Sequence, residues 1–250
     1  MRGMFLIIEK DLRKIRRYKF FITMRYTWFI IQVLVFGLAI SKIVALKDFY
    51  RYYLVGVYSS ILFLMSIYTG YDIISEAEYG VFDYYLSLPI PRKEFIMGKI
   101  IGSGISSLIY TTPMLITILA LIGVNSLVNL ILALFSALLF SLGISGLIIS
   151  ITMMVKSGDI SDILFGAIST LLVRLSTVYY PIAVMPDYYK IFASINPLSH
   201  AAELLRFLLI GEYYSFPPEI TIILLIGLAI GMSSIASIII EKVIEGGVWR

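Results

Sequence analysis

Few side chains in this chain could do covalent or metal chemistry. Its 250 residues include no cysteine and one histidine, His200. That excludes a disulfide framework, a thiol nucleophile and a cysteine-ligated metal, and it argues against a histidine metal site or a Ser-His-Asp triad. Lipid-phosphate chemistry would need clustered aspartates, acyl transfer a Gly-x-Ser-x-Gly elbow and nucleotide hydrolysis a Walker-type phosphate loop; none occurs. No catalytic residue, metal ligand or bound cofactor is therefore assigned to this chain, and it is not read as an enzyme. What remains are charges in apolar surroundings. Lys42 lies near enough to a span end to snorkel to the surface. Arg174 falls deep in an apolar run, where its cost in lipid requires it to face protein, water or a second subunit. A place along a path through the membrane and a structural pairing would both suit it. His200, Glu203 and Arg206 recur every three residues, a spacing that puts them on one helical face. Stabilising a turn suits that trio better than moving protons.

Membrane helices must position these groups. The chain is 60% hydrophobic and 14% charged, with a mean hydropathy of +0.95, whereas charged residues approach about a quarter of a soluble domain. Several apolar runs reach the roughly 20 residues that cross a bilayer. The expectation is an all-α integral membrane protein, a single transmembrane domain over 1–250 with six spans. These run from about Tyr26 to Leu46, Tyr52 to Ile74, Ile100 to Gly123, Leu127 to Val155, from after Asp162 to about Tyr179, and Glu219 to Ile240. Gly98, Gly102 and Gly104 would let a neighbour approach the third span closely, and Ser136, Ser141, Gly143, Ser145 and Gly146 suit helix contact on the fourth.

Three segments break the pattern. Residues 1–25 carry eight lysines and arginines among apolar residues, unlike a cleavable signal. They read as an amphipathic helix in the interface, or as charges that only set topology. With six spans, fourteen basic residues fall on the N-terminal side and four opposite, which places both termini in the cytoplasm. Residues 75–99 then form a cytoplasmic loop with Glu76, Glu78 and Asp83, an amphipathic run and Leu88-Pro89-Ile90-Pro91, closed by Arg92, Lys93 and Lys99. This fits a short surface helix stopped by prolines. Residues 180–218 hold five prolines and an apolar piece, Leu204 to Ile210, too short to span, which fits a re-entrant or interfacial helix pair on the outside.

In this order the features resemble the permease subunits of type-2 ATP-binding-cassette exporters, over essentially the whole chain. Glu78-x-Gly80, Leu86-Ser87-Leu88-Pro89-Ile90-Pro91-Arg92 and Gly98-Lys99 resemble the family's coupling loop. Tyr180-Pro181, Met185-Pro186, Asn196-Pro197-Leu198-Ser199 and Glu203-x-x-Arg206 resemble its external segment. The resemblance implies an elbow helix over 1–25, a coupling helix within 75–99 and external re-entrant helices over 180–218. It also implies half of an export pathway in a prokaryotic cytoplasmic membrane, completed by a second permease chain. A separate ATPase subunit, carrying ATP-Mg, would dock on Glu78, Phe82, Tyr84, Tyr85, Leu86, Pro89 and Arg92. Tyr180, Pro181, Asn196 and Pro197 would form an external gate, with an interfacial aromatic belt as the plainer reading. The competing function is a stand-alone carrier using Arg174, or a scaffold.

Overall fold

A computed structural model describes residues 2–15, 19–44, 48–155, 157–212 and 215–245. The N-terminal basic stretch divides into two helices. Helix α1 (Arg2–Lys14) is separate, whereas α2 (Lys19–Ile31) runs through a π-helical stretch, Gln32–Gly37, into α3 (Leu38–Ser41). Phe20 to Arg25 thus belong to the first membrane helix, because the apolar run carries helix back past the expected Tyr26 start. Leu46 and Lys47 lie outside the described residues. The second helix, α4 (Phe49–Glu78), runs four residues past the expected Ile74. Gly80, at φ 71°, then takes a left-handed turn that glycine adopts without strain.

Helix α5 (Val81–Ser87) follows and stops where Leu88 is extended, as a residue before proline must be. Pro91 caps α6 (Arg92–Ile122). Lys99 therefore does not close a loop, as expected from its charge; it sits two turns inside α6, only 2% exposed. Next come α7 (Leu127–Val155) and α8 (Gly158–Arg174). After a short 3-10 turn, Ile182–Val184, the chain forms α9 (Asp187–Ile195), α10 (Pro197–Ile210) and α11 (Pro218–Glu245). Sequence chemistry sets α10 sharply: the Asn196 side chain accepts from Leu198 N, Pro197 fills the first turn, and Gly211 closes the end at φ 80°.

Among the described residues, five helices have the length and composition to cross a membrane: Ile22–Ser41, Phe49–Glu78, Arg92–Ile122, Leu127–Val155 and Pro218–Val243. The expected fifth of six spans is the exception. Helix α8 has 17 residues, about 25 Å, and ends at Arg174 where Tyr179 was expected. Arg174 is consequently the last helical residue, where a cation favours the C-terminal dipole, and not a charge deep inside a span.

Helix α4 is the core. Tyr52, Leu54, Val55, Val57, Tyr58, Leu62 and Phe63 are essentially inaccessible. Phe63 also packs against Phe140 of α7. Small residues permit the close approaches. A Cβ on Gly98 would lie 2.9 Å from Ile7, and one on Gly102 2.9 Å from Asp11, so α1 seats on α6. Gly143 and Gly146 receive α11 at Leu228, Met232 and Ser233. The outward sides of α2, α7 and α11 are apolar (Trp28, Leu132, Phe135, Ile223 and Ile230 among them), as contact with lipid requires.

Gly56 is the tightest point, since its Cβ would fall 1.9 Å from the Val178 carbonyl oxygen. That atom is backbone and cannot swing aside. Gly56→Ala should cost about 3 kcal/mol or more and sharply reduce monodisperse protein in detergent. Gly166→Ala, with nothing within 4 Å, should leave the yield unchanged.

Candidate functional site

One end of the bundle gathers α1, the end of α4, α5 and the starts of α6 and α8. Helix α1 is fastened there at its first turn, where the Glu94 carboxylate accepts from Gly3 N at 3.0 Å and Met4 N at 3.3 Å. A negative group at a helix N-terminus satisfies orphan donors and opposes the dipole. Further along, α1 contributes Lys10, Asp11 and Lys14 to a six-membered ionic cluster. Lys99 Nζ lies 2.8 Å from Glu76 Oε2 and 3.2 Å from Asp11 Oδ1. Lys10 and Lys14 reach Glu76 Oε1 at 2.5 and 2.6 Å, and Lys14 reaches Asp72 at 2.7 Å. Three lysines meet three carboxylates, so the buried charge cancels. Burial and the neighbouring Lys99 ammonium hold Lys10 below the ordinary lysine range, against Asp11 and Glu76.

Sequence reasoning did not assemble this cluster, although a signal was present. Lys10 and Lys14 are four apart, as are Asp72 and Glu76, so each pair shares a helical face.

The cluster sorts the expected partner-contact residues. Tyr85 turns inward: its ring packs 6.0 Å from Phe95, with Lys10 Nζ 4.5 Å above it. Tyr84 is 63% exposed and the adjoining Tyr79, which sequence reasoning did not select, is 83% exposed. Pro89 and Arg92 are also exposed, whereas the side chains of Phe82 and Leu86 lie outside the described set. The Glu78 carboxylate accepts from Gly158 N at 3.1 Å, at the N-terminus of α8. An open cleft of about 670 Å³ separates α1 from α5, lined by Leu6, Arg13, Lys14, Glu76, Tyr79 and Tyr85, among others.

The opposite end is stitched by α10. Arg206 is fully buried. Its guanidinium lies 3.5 Å over the Tyr52 ring centroid. It donates to Glu203 Oε1 at 2.7 Å, Tyr52 O at 3.2 Å, and Thr177 O and Val178 O at 2.9 Å each. Glu203 Oε2 accepts from Ser215 N at 3.0 Å. Tyr52 Oη donates to Thr177 O as well. The expected Glu203–Arg206 pairing is thus present; His200 stays out of it, its Nε2 lying 2.8 Å from Ser194 O and its ring against Phe216.

Of the expected gate residues, Asn196 is buried and occupied. Its Nδ2 donates to Leu172 O at 2.7 Å and Leu175 O at 3.1 Å, closing the end of α8 as well as starting α10. Pro181 is buried and Pro197 half-buried, whereas Tyr180 is exposed and donates to Arg174 O at 3.3 Å. These residues gather at one end, but as braces more than as a surface.

Comparison with known proteins agrees with this architecture. Residues 2–210 match the ABC-2 type transporter family. Daunorubicin resistance ABC transporter permease protein DrrB1 of Streptomyces coeruleorubidus is 23% identical over 172 residues, which cover 66% of this chain and 59% of that protein. The match therefore spans less than two thirds of the relative's length.

Proposed function

Because this chain belongs to the ABC-2 type transporter family, we propose that it is the membrane-spanning half of an ATP-driven exporter, powered by a separate ATPase subunit and completed by a second permease chain. The observation that carries this reading is the tyrosine-bearing corner of α4 and α5. Tyr79 and Tyr84 project into solvent, although the backbone beneath them is anchored through Tyr85 to Phe95 and the ionic cluster. Exposed aromatic side chains on a braced turn are what a partner buries to gain contact energy, and a fixed turn transmits displacement where a loose loop would not. With α1, α5 and the cluster on the cytoplasmic side, the ATPase binds there, carries ATP-Mg itself, and α10 lies outside. Tyr84, Tyr79 and Pro89 make the contact, and Tyr85 braces the surface from within.

The test is a pull-down from native membranes with a C-terminal tag, followed by ATPase assay of the eluate. Wild type should retain an ATPase, and Tyr84→Ala should weaken retention by about tenfold or more, as loss of an interface tyrosine does. Tyr85→Asp would place a charge against Phe95 and disturb the fold itself, so it is not the diagnostic variant. Isolation of wild-type protein without ATPase activity in gentle detergent would sink the proposal.

A further inference from the structure

We propose that Glu78, Tyr71 and Gly158 form a clamp that makes α4 and α8 one body, so that α8 relays movement of the α5 corner to the far end of the molecule. This deepens the ATPase-driven reading and rests on it. Gly158 is held through both its backbone groups: its N–H donates to Glu78 Oε1 at 3.1 Å, and its carbonyl accepts from Tyr71 Oη at 3.1 Å. The Tyr71 ring meets Phe165 edge-on at 5.8 Å, about two turns further along α8. Ser157, the residue positioned to cap α8, makes no capping bond; Glu78 supplies that acceptor from another helix. A Cβ at 158 would lie 2.6 Å from Glu78 Oε1, so a side chain there displaces that carboxylate.

Between its ends α8 is poorly embedded, with only Ser161 and Phe165 buried. Its far end is held again, by Asn196 on Leu172 O and Leu175 O. Just beyond the helix, Arg206 and Tyr52 hold Thr177 O. A helix fixed at both termini and free along its middle transmits translation from one end to the other. Glu78 is the last residue of α4 and only Tyr79 and Gly80 separate it from α5, so displacement of the α5 corner reaches α8 through this clamp. Glu78 is thereby a positioning residue within the chain.

The absence of cysteine makes the test direct. Spin labels at Met97→Cys on α6, which Lys99 ties to Glu76 of α4, and Ile163→Cys on α8, both exposed, report how far α8 lies from the α4 body in protein purified with its ATPase. A single Val184→Cys reports labelling by a membrane-impermeant maleimide at the far end. In wild type the 97–163 distance should stay the same with and without MgATP, while the Val184 labelling rate changes. Glu78→Ala and Gly158→Ala should each broaden or shift that distance by about one helical turn, ~5 Å. Both should abolish the nucleotide response at Val184, with ATPase retention intact. Combining them should add nothing, because they break the same contact. Glu78→Gln, still an acceptor, should restore the wild-type distance. An unchanged distance in both alanine variants, or a nucleotide-dependent one in wild type, overturns the clamp. Failure to retain any ATPase overturns instead the reading on which the relay rests.

Discussion

Arg206→Ala should be the most damaging single substitution at the far end, lowering stability by about 3–5 kcal/mol, the cost of breaking one partner of a buried ion pair. The loss has three parts. Glu203, 1% exposed, would lose the guanidinium from which its Oε1 accepts. The carbonyls of Tyr52, Thr177 and Val178 would lose donors in a site without water access. A planar group stacked at 3.5 Å on Tyr52 would leave a void. Lysine is no substitute, because one ammonium cannot serve carbonyls and carboxylate spread around a guanidinium fork. Thermal unfolding followed by size-exclusion chromatography in detergent should show a midpoint lowered by about 6–12 °C or more. Replacing both partners, Glu203→Gln with Arg206→Met, should recover part of that loss, since no charge is then stranded. Equal midpoints for wild type and Arg206→Ala would show that the pair is dispensable.

The second large effect is expected at Lys99. It touches both Asp11 of α1 and Glu76 of α4 from inside α6, so Lys99→Met leaves three carboxylates to two lysines. The neutral cluster becomes net negative, and the least costly relief is for α1 to lift away with Asp11. Ile7, 1% exposed beside Gly98, reports this directly. A single Ile7→Cys in the cysteine-free chain should resist maleimide in the Lys99 background. In Lys99→Met its labelling should rise about a hundredfold if roughly 3 kcal/mol is lost. Salt up to about 1 M should do little to wild-type labelling, because screening acts weakly on a buried cluster. Labelling as slow in Lys99→Met as in wild type would show that glycine-mediated packing alone holds α1. The same detachment should free the Lys10–Tyr85 contact, and the corner carrying Tyr84 would then lose its brace.

Much of this protein was legible from sequence because its signals are local. Long apolar runs made the membrane helices, since backbone groups in hydrocarbon must be satisfied within the helix. Prolines at 89 and 91 bounded α5, because proline restriction acts within a few residues. The Glu203–Arg206 pair fell within one helical turn and was readable for the same reason. Only the tertiary structure decided which charges are buried together. Lys99 meets Asp11 across 88 residues, and Arg206 meets the Tyr52 carbonyl across 154. Helical periodicity says which residues share a face but not which helix covers it. Sequence therefore gave Tyr84 and Tyr85 equal standing, and packing turned one outward and the other onto Phe95. It marked Glu78 as a surface charge, and the fold set it on the first amide of α8. Arg174 looked buried in lipid because apolar residues continue to Tyr179; helix α8 ends earlier because α10 takes up its last carbonyls, a contact that no local pattern encodes.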